Sequence, residues 1–220
     1  MGRNQQTRGR GADSALPRLL GERLCLNFVN TIESPRGAHP EEFLRGYADL
    51  VRWGRHVGLL TDSERERLQR EGERRPDAAN ATFARALALR AALTQIFHAV
   101  AEGNAPEEAD LQQLQTAFLA ALERARLAPG GERYGWSWDA DDAALDRPLW
   151  GVARSAVAVL TEDDLARVKA CPGVNDCGWL FYDTSKNGRR RWCSMEGCGS
   201  RVKMRQHYAR RRAAEVARAD

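Results

Sequence analysis

Apolar residues recur every three to four positions through much of the first 165 residues, and this spacing predicts a mainly helical body. Cys25, Phe28, Val29 and Ile32 fit a buried helix, although the alternation from Leu24 to Phe28 leaves a strand open. Further helices are predicted from Pro40 or Glu41, across 47–60, and over 64–71, where Thr61 and Glu64 form a capping box. Four more are predicted: from Asp77 to about Gly103, from 104–106 to the break at Pro129, from Pro148 to Leu160, and from Thr161–Asp164 towards Cys171.

The longest of these helices carries a clear apolar face. The helix from Asp77 is expected to bury six apolar side chains, namely Phe83, Leu87, Leu93, Ile96, Phe97 and Val100. One β element interrupts the helices, because "RYGWSWDA" alternates aromatic and polar residues. We expect it to form a hairpin with Ala125 to Ala128.

Four cysteines near the end of the chain have the spacing Cys171-x5-Cys177-x15-Cys193-x4-Cys198. Two close pairs separated by a longer insert are typical of residues that hold one tetrahedral ion, so we predict one structural Zn²⁺. Disulfides are disfavoured in a cytosolic protein, and an iron–sulfur cluster stays an alternative. Cys25 stands alone in an apolar segment and is expected in the core.

The insert between the cysteine pairs predicts a small fold of its own. "WLFYD" and "RRRWCS" are β-capable, and Asn187–Gly188 between them is the preferred dipeptide of a tight hairpin turn. A helix without Gly or Pro follows Cys198. The predicted fold is therefore mainly α with small β elements: a helical N-terminal domain followed by a treble-clef-like four-cysteine zinc finger. Trp179, Phe181 and Trp192 are expected to form the small core behind the metal.

Charge is distributed unevenly along the chain. Residues 186–212 hold ten Lys or Arg and one acid, Glu196, which gives +9, whereas the rest of the chain carries −5. Such a segment favours a polyanion, and a basic helix suits the major groove of duplex DNA. Only Val202, Gln206, Ala209 and Ala213 form a weakly apolar strip for docking this helix. The candidate DNA-binding residues are Arg189, Arg190, Arg191, Arg201, Lys203, Arg205, His207, Arg210, Arg211 and Arg212.

At these residues the sequence resembles bacterial regulators in which a CGNR-type zinc finger follows an ABATE domain. The name-giving stretch is Cys198-Gly199-Ser200-Arg201, with Ser in place of Asn, inside "CGWLFYDTSKNGRRRWCSMEGCG". "LCLNFVNT" resembles the opening of the ABATE domain, with Asn27 where Asp is usual. The resemblance implies a zinc-dependent DNA-binding transcription regulator linked to stress.

The remaining predictions concern organisation and alternatives. We expect a flexible tail over 1–20, a sensor or dimerisation domain over 21–165, the finger over 166–212 and a helix end over 213–220. The first 16 residues lack an apolar signal-peptide core and no run spans a membrane, which predicts a cytoplasmic protein.

A small-molecule effector and a homodimer are candidate partners of the predicted regulator. Asn27, Asn30 and Thr31 are candidate ligand-binding residues, although Asn30 and Thr31 equally well cap a helix or start a turn. We expect no enzyme, since His39, His56 and His98 are far apart and no catalytic motif accompanies them. His98 is more simply a core histidine. A protein-interaction module and an enzyme with its site in the helical domain stay as alternatives.

Overall fold

A computed structural model describes residues 16–33, 40–138, 144–173 and 177–216 of the chain, without the side chains of residue 33 and of 213–216. The helices are α1 (Leu24–Val29), α2 (Tyr47–His56), α3 (Asp62–Arg74), α4 (Pro76–Ala101), α5 (Glu108–Leu122), α6 (Arg147–Glu162) and α7 (Ser200–Val216). Three two-stranded antiparallel sheets pair β1 (Ile32–Glu33) with β2 (Glu41–Glu42), β3 (Ala125–Pro129) with β4 (Tyr134–Trp138), and β5 (Val168–Ala170) with β6 (Leu180–Tyr182). The predicted fold class, mainly helical with small strands, is confirmed.

The body packs α1 to α6 around one core. The short helix α1 lies at its centre, where Cys25, Leu26 and Phe28 are fully buried. Phe28 meets Trp53 of α2 with ring centroids 5.1 Å apart. Burying each such side chain stabilises the fold by roughly 1.5–3 kcal/mol, so this centre anchors the surrounding helices. Cys25 is a core residue, as predicted.

Several predicted elements are confirmed in detail. The Thr61 side chain accepts from Glu64 N while Glu64 accepts from Thr61 N, which completes the predicted capping box of α3. In α4, Leu93, Ile96 and Phe97 are buried, whereas Phe83, Leu87 and Val100 are half-buried. The hairpin of β3 and β4 is present in the predicted segments.

The predicted helix from Pro40 or Glu41 is wrong. Glu41 and Glu42 form β2, which pairs with β1 directly after α1. The reason is tertiary, because Arg90 of α4 binds both carboxylate oxygens of Glu42 at 2.8 and 2.5 Å. Glu42 also accepts from Leu44 N, and α2 begins only at Tyr47.

The helix predicted to begin at Thr161–Asp164 is also wrong. Thr161 belongs to α6, which ends where the Asp163 carboxylate accepts two hydrogen bonds from Arg23 at 2.7 and 3.1 Å. Asp164 then caps a single 3-10 turn over Leu165–Arg167, and the chain continues as β5. The approach to Cys171 is therefore a strand.

The predicted hairpin between "WLFYD" and "RRRWCS" does not form. The strand β6 pairs with β5 instead, in the register Val168–Tyr182 to Ala170–Leu180. Asn187–Gly188 does lie in a tight turn, in which Gly188 has a φ of +62° and donates from its N–H to Ser185 O. The segment after this turn, from Arg189 to Ser194, forms no strand.

Helix length and composition also bear on membrane association. Within the part of the chain that the structure describes, no helix combines the length and the apolar character needed to cross a membrane.

Candidate metal centre and basic helix

The four finger cysteines converge on one point. Their sulfur atoms all lie within 4.8 Å of one another, with Cys177–Cys193 at 3.9 Å and Cys193–Cys198 at 3.7 Å. Ligand sulfurs about 2.3 Å from a tetrahedral ion are about 3.8 Å apart, so the arrangement fits one ion. All four residues are buried and none forms a disulfide. They constitute a metal site in the finger.

The electrostatics of the four sulfur atoms favour a bound cation. Hydrogen bonds from the Cys177 and Cys193 thiols lower the pKa of Cys171, while the same contacts raise the pKa values of Cys177 and Cys193. Four buried thiolates repel one another, so all four sulfurs cannot ionise together unless a positive charge neutralises them. A divalent cation removes this conflict and allows all four sulfurs to ionise.

The backbone packs closely against the sulfur atoms. A Cβ at Gly173 would lie 2.6 Å from Cys198 Sγ and 3.0 Å from the Cβ atoms of Cys177 and Cys198. Cys193 N donates to Cys171 Sγ at 3.4 Å, which favours the thiolate. Cys198 lies in a wide π-helical turn (Met195–Gly199) directly before α7, as predicted for the fourth ligand.

A small core supports the cluster from behind. Trp179 and Phe181 are buried with the four cysteines, and Trp192 packs against them, as predicted. Leu20 and Phe43 from the N-terminal part of the chain complete this core. The metal centre is therefore packed against the body and shares side chains with it.

Direct hydrogen bonds join the finger to α1 and its flanks. The Asn30 side chain donates to Leu180 O at 2.8 Å and accepts from Leu180 N at 3.0 Å, extending the edge of β6. Trp179 Nε1 donates to Ile32 O at 2.7 Å, and Tyr182 N donates to Gly21 O at 3.0 Å. These contacts fix the metal centre relative to the body.

Asp183 organises the turn that precedes the third cysteine, and the sequence alone did not single it out. Its buried carboxylate accepts from Lys169 Nζ at 2.6 Å, from Ser185 N and Oγ, and from Arg190 N. Although burial opposes it, these donors together lower the pKa of Asp183 well below the ordinary carboxyl range. The Asp183-x-Ser185 spacing is typical of an Asx turn and is the signal that identifies it.

Arg190 differs from the other predicted DNA-binding arginines. Its guanidinium lies 4.7 Å from the centre of the Phe181 ring and donates to Glu22 Oε1 at 2.9 Å, to Trp192 O at 3.0 Å and to Cys193 O. These groups hold the loop that carries Cys193. Arg189 and Arg191 on either side are exposed, and Arg191 lies 5.1 Å over the Trp192 ring.

The helix α7 extends into solvent. Every side chain from Lys203 to Arg212 is exposed, including Gln206 and Ala209 of the predicted docking strip, so that strip is wrong at these two positions. Val202 alone among the described strip residues is half-buried. The exposed predicted residues on this helix are Arg201, Lys203, Arg205, His207, Arg210, Arg211 and Arg212.

The three candidate ligand-binding residues near α1 make internal contacts. Asn27 Oδ1 accepts from Gly21 N at 2.8 Å. Thr31 Oγ1 donates to Phe28 O at 2.7 Å and accepts from Arg90 at 2.9 Å. With Asn30 bound to β6, the structure gives each of the three a partner within the chain, and of the turn and capping contacts expected for Asn30 and Thr31 only the local Thr31–Phe28 bond is present.

The histidines do not converge in the described residues. His39 lies outside them, and His56 Nε2 lies 3.2 Å from Pro17 O. His98 is half-buried and lines an open cavity of about 820 Å³ at the α4–α5 turn, together with Glu102, Glu107 and Asp110. It is therefore a cavity residue rather than the predicted core histidine.

Fold and site together define a helical domain joined to a four-cysteine metal finger with a basic helix. The model of the ABATE family, described as "Putative stress-induced transcription regulator", matches residues 22–163, and that of the CGNR zinc finger matches residues 167–211. The chain belongs to the ABATE family and carries a CGNR zinc finger. This confirms the resemblance inferred from the sequence. No curated protein matches the chain.

Proposed function

We propose that the finger binds one structural Zn²⁺ and presents α7 to duplex DNA, and that the protein is a cytoplasmic transcription regulator. The support for zinc is the ligand set, because four sulfurs spaced for one tetrahedral ion leave no position open for water or substrate. An iron–sulfur cluster holds several metal ions and would separate the sulfurs further. Cys171, Cys177, Cys193 and Cys198 would hold the ion, which supplies folding energy.

The exposed basic helix is the observation that carries the DNA-binding proposal. Between Gly197 and Arg212 the sequence has no acid, and the side chains of α7 from Lys203 to Arg212 are all exposed. A helix that contributes to stability normally buries one face, and α7 buries none between Lys203 and Arg212. Like charges close together repel one another, so the arrangement suits a polyanionic partner.

We propose different roles for different basic residues. The π-helical turn that carries Cys198 leads directly into α7, so the metal centre fixes where the helix starts. Arg201 and Arg205 lie one turn apart near that start, where a recognition helix meets base edges. In this proposal Arg189 and Arg191, with the later arginines of α7, would contact phosphates.

In this proposal the body senses a ligand or forms a dimer. The chain as a whole binds its partners and does not catalyse a reaction. Neither matching family is described as an enzyme. The finger shares its core with Leu20 and Phe43 and its hydrogen bonds with Asn30 at the end of α1, so a change in the body can alter the position of the metal centre. An effector of the body would act through this junction.

Binding of the full-length protein to fluorescent duplex DNA from about 50 to 200 mM salt tests the proposal. The affinity should fall linearly with salt on logarithmic axes, with a slope of about −0.9 for each phosphate neutralised. Arg205→Ala, which removes a proposed base contact, should weaken binding several-fold. Arg70→Ala, at an exposed arginine of α3, is the matched control and should change neither the affinity nor the slope.

A flat salt response, or an unchanged affinity for Arg205→Ala, would contradict the assignment of α7. Metal analysis on the same preparation should give one zinc per chain. If the finger instead docks on an acidic protein, duplex DNA will bind weakly and without dependence on Arg205.

A further inference from the structure

The exposed part of α7 has two unlike sides. With 3.6 residues per turn, five of its positions fall within about 100° of one another around the helix axis. This side, called here the reading face, carries Arg201, Met204, Arg205, Tyr208 and Arg212. The other side carries polar and basic residues, namely Lys203, Gln206, His207 and Arg210. The reading face is therefore the side on which arginines alternate with large apolar side chains.

The two apolar side chains of the reading face do not hold the helix on the rest of the described chain. Met204 and Tyr208 are 55% and 57% exposed, and the helix buries none of its side chains between Lys203 and Arg212. They lie four residues apart, so they are neighbours on the helix surface. A single exposed apolar side chain needs no explanation, but two adjacent ones flanked by arginines indicate a contact surface.

The arginines of the reading face indicate what contacts the apolar pair. The sequence from Gly197 to Ala214 contains no acid, so two copies meeting through this face would bring like charges together. The major groove of duplex DNA offers what this face needs, because guanine presents two acceptors for arginine and thymine presents a methyl group for an apolar side chain. We propose that the reading face enters the major groove and that Met204 is a specificity-determining residue that contacts a thymine methyl.

The spacing along the helix places the thymine contact beside the guanine contacts. A helix rises 1.5 Å per residue, so the stretch from Arg201 to Tyr208 covers about 10 Å, or roughly three base pairs at 3.4 Å each. Met204 lies between Arg201 and Arg205 along the axis. The thymine is therefore expected next to a guanine that one of these arginines reads. In this arrangement Tyr208, one turn further on, shields the Met204 contact from water.

The inference rests on the proposed binding of duplex DNA and specifies which side of α7 reads the bases. Selection from a pool of randomised duplexes by the zinc-loaded full-length protein supplies the probe. In the selected duplex each thymine is then replaced, one at a time, by uracil, which pairs in the same way but lacks the methyl group. The wild-type affinity should fall about three- to fivefold at one thymine next to a guanine, as expected for one buried methyl group.

Variants at Met204 test the contact directly. Met204→Ala should bind the thymine and uracil duplexes equally well, and it should keep the wild-type salt slope because methionine neutralises no phosphate. Met204→Leu, which restores an apolar side chain of similar size, should recover the preference for thymine. Gln206→Ala is the matched control, because Gln206 is exposed on the other side of the helix and its loss should leave the preference unchanged. Alanine is the best helix former, so both alanine variants should keep α7 folded.

The outcomes separate this inference from the proposed function. If the wild-type protein binds no duplex, or binds without dependence on salt, both are wrong. If it binds with the expected salt dependence but no uracil replacement weakens binding, the role of Met204 is wrong and the proposed function stands. The same holds if Met204→Ala still prefers thymine. A preference lost equally in Gln206→Ala would also overturn the assignment, because it would not depend on the reading face.

Discussion

The two halves of the zinc finger use the same kind of residue in opposite ways. In the half that holds the cysteines, Arg190 donates to two backbone carbonyls and a carboxylate and covers Phe181. In α7, Arg205 and its basic neighbours are exposed. In the first half the polar groups hold the metal loop, whereas in the second they are exposed, where we propose that they meet DNA. A run of arginines is therefore two functional units, and contacts distinguish them.

The body also contains polar side chains that, like that of Arg190, make contacts within the chain. Asn27, Asn30 and Thr31 are candidates for binding a ligand by residue type, yet their side chains bond to Gly21, Leu180 and Arg90. Asn30 in particular satisfies both backbone groups of Leu180 on the edge of β6. Asn30 therefore belongs with Arg190, because it joins the body to the finger, whereas Asn27 and Thr31 make their hydrogen bonds within the body.

The largest expected effect comes from breaking the metal-bound half. Cys193→Ser should abolish metal binding and unfold the finger, because structural zinc contributes roughly 10–16 kcal/mol of apparent binding energy. The body should also melt at a lower temperature, since Leu20 and Phe43 pack in the finger core. Metal analysis and thermal unfolding measure both effects.

Cys25→Ala is the matched control for this change. Cys25 is fully buried in the body, and burial raises the pKa of its thiol to about 12, so it stays protonated. The variant should lose about 1 kcal/mol of stability and keep one equivalent of metal. Metal retained by Cys193→Ser would contradict the four-sulfur site.

A smaller effect is expected when a methyl group is added beside the sulfurs. Gly173→Ala places a Cβ 2.6 Å from Cys198 Sγ, which must displace a ligand atom and should lower metal affinity about 10–100-fold. Competition with a chromogenic chelator measures the loss. Gly135→Ala, where no atom lies within 4 Å of the added Cβ, should bind metal as the wild type does.

What the sequence predicts well is what local spacing determines. The cysteine spacing was enough to predict the metal site, and the apolar period, the Thr61–Glu64 capping box and the aromatic alternation of β4 each identified their element. In each case the decisive residues lie within a few turns or one insert of one another. Residues close together in the sequence determine these elements, so a single sequence is enough to predict them.

The predictions of secondary structure are wrong where a residue distant in the sequence determines the local conformation. Glu42 lies in a strand because Arg90 binds it, and α6 ends at Glu162, next to Asp163, which binds Arg23. Leu180 pairs with Ala170 and Asn30 instead of the segment after the Asn187–Gly188 turn. Helix propensity and hairpin signals amount to a few tenths to about 1 kcal/mol, and the partly buried charge-assisted hydrogen bonds at these positions are of comparable or greater size.

The last prediction compares the two halves of the finger directly. Arg190→Ala should lower the free energy of unfolding by about 2–4 kcal/mol, because it leaves Glu22 and two carbonyl groups without their charged donor. Arg205→Ala should change it by less than about 0.5 kcal/mol, since an exposed residue away from caps and cores contributes little. Denaturant unfolding of the zinc-loaded variants measures both. Equal losses would show that α7 depends on its arginines for stability and would remove the distinction between a fixed half and a binding half. If Arg190→Ala is stable but binds DNA weakly, Arg190 belongs with Arg205 and the metal loop is held by Asp183 and the cysteines alone.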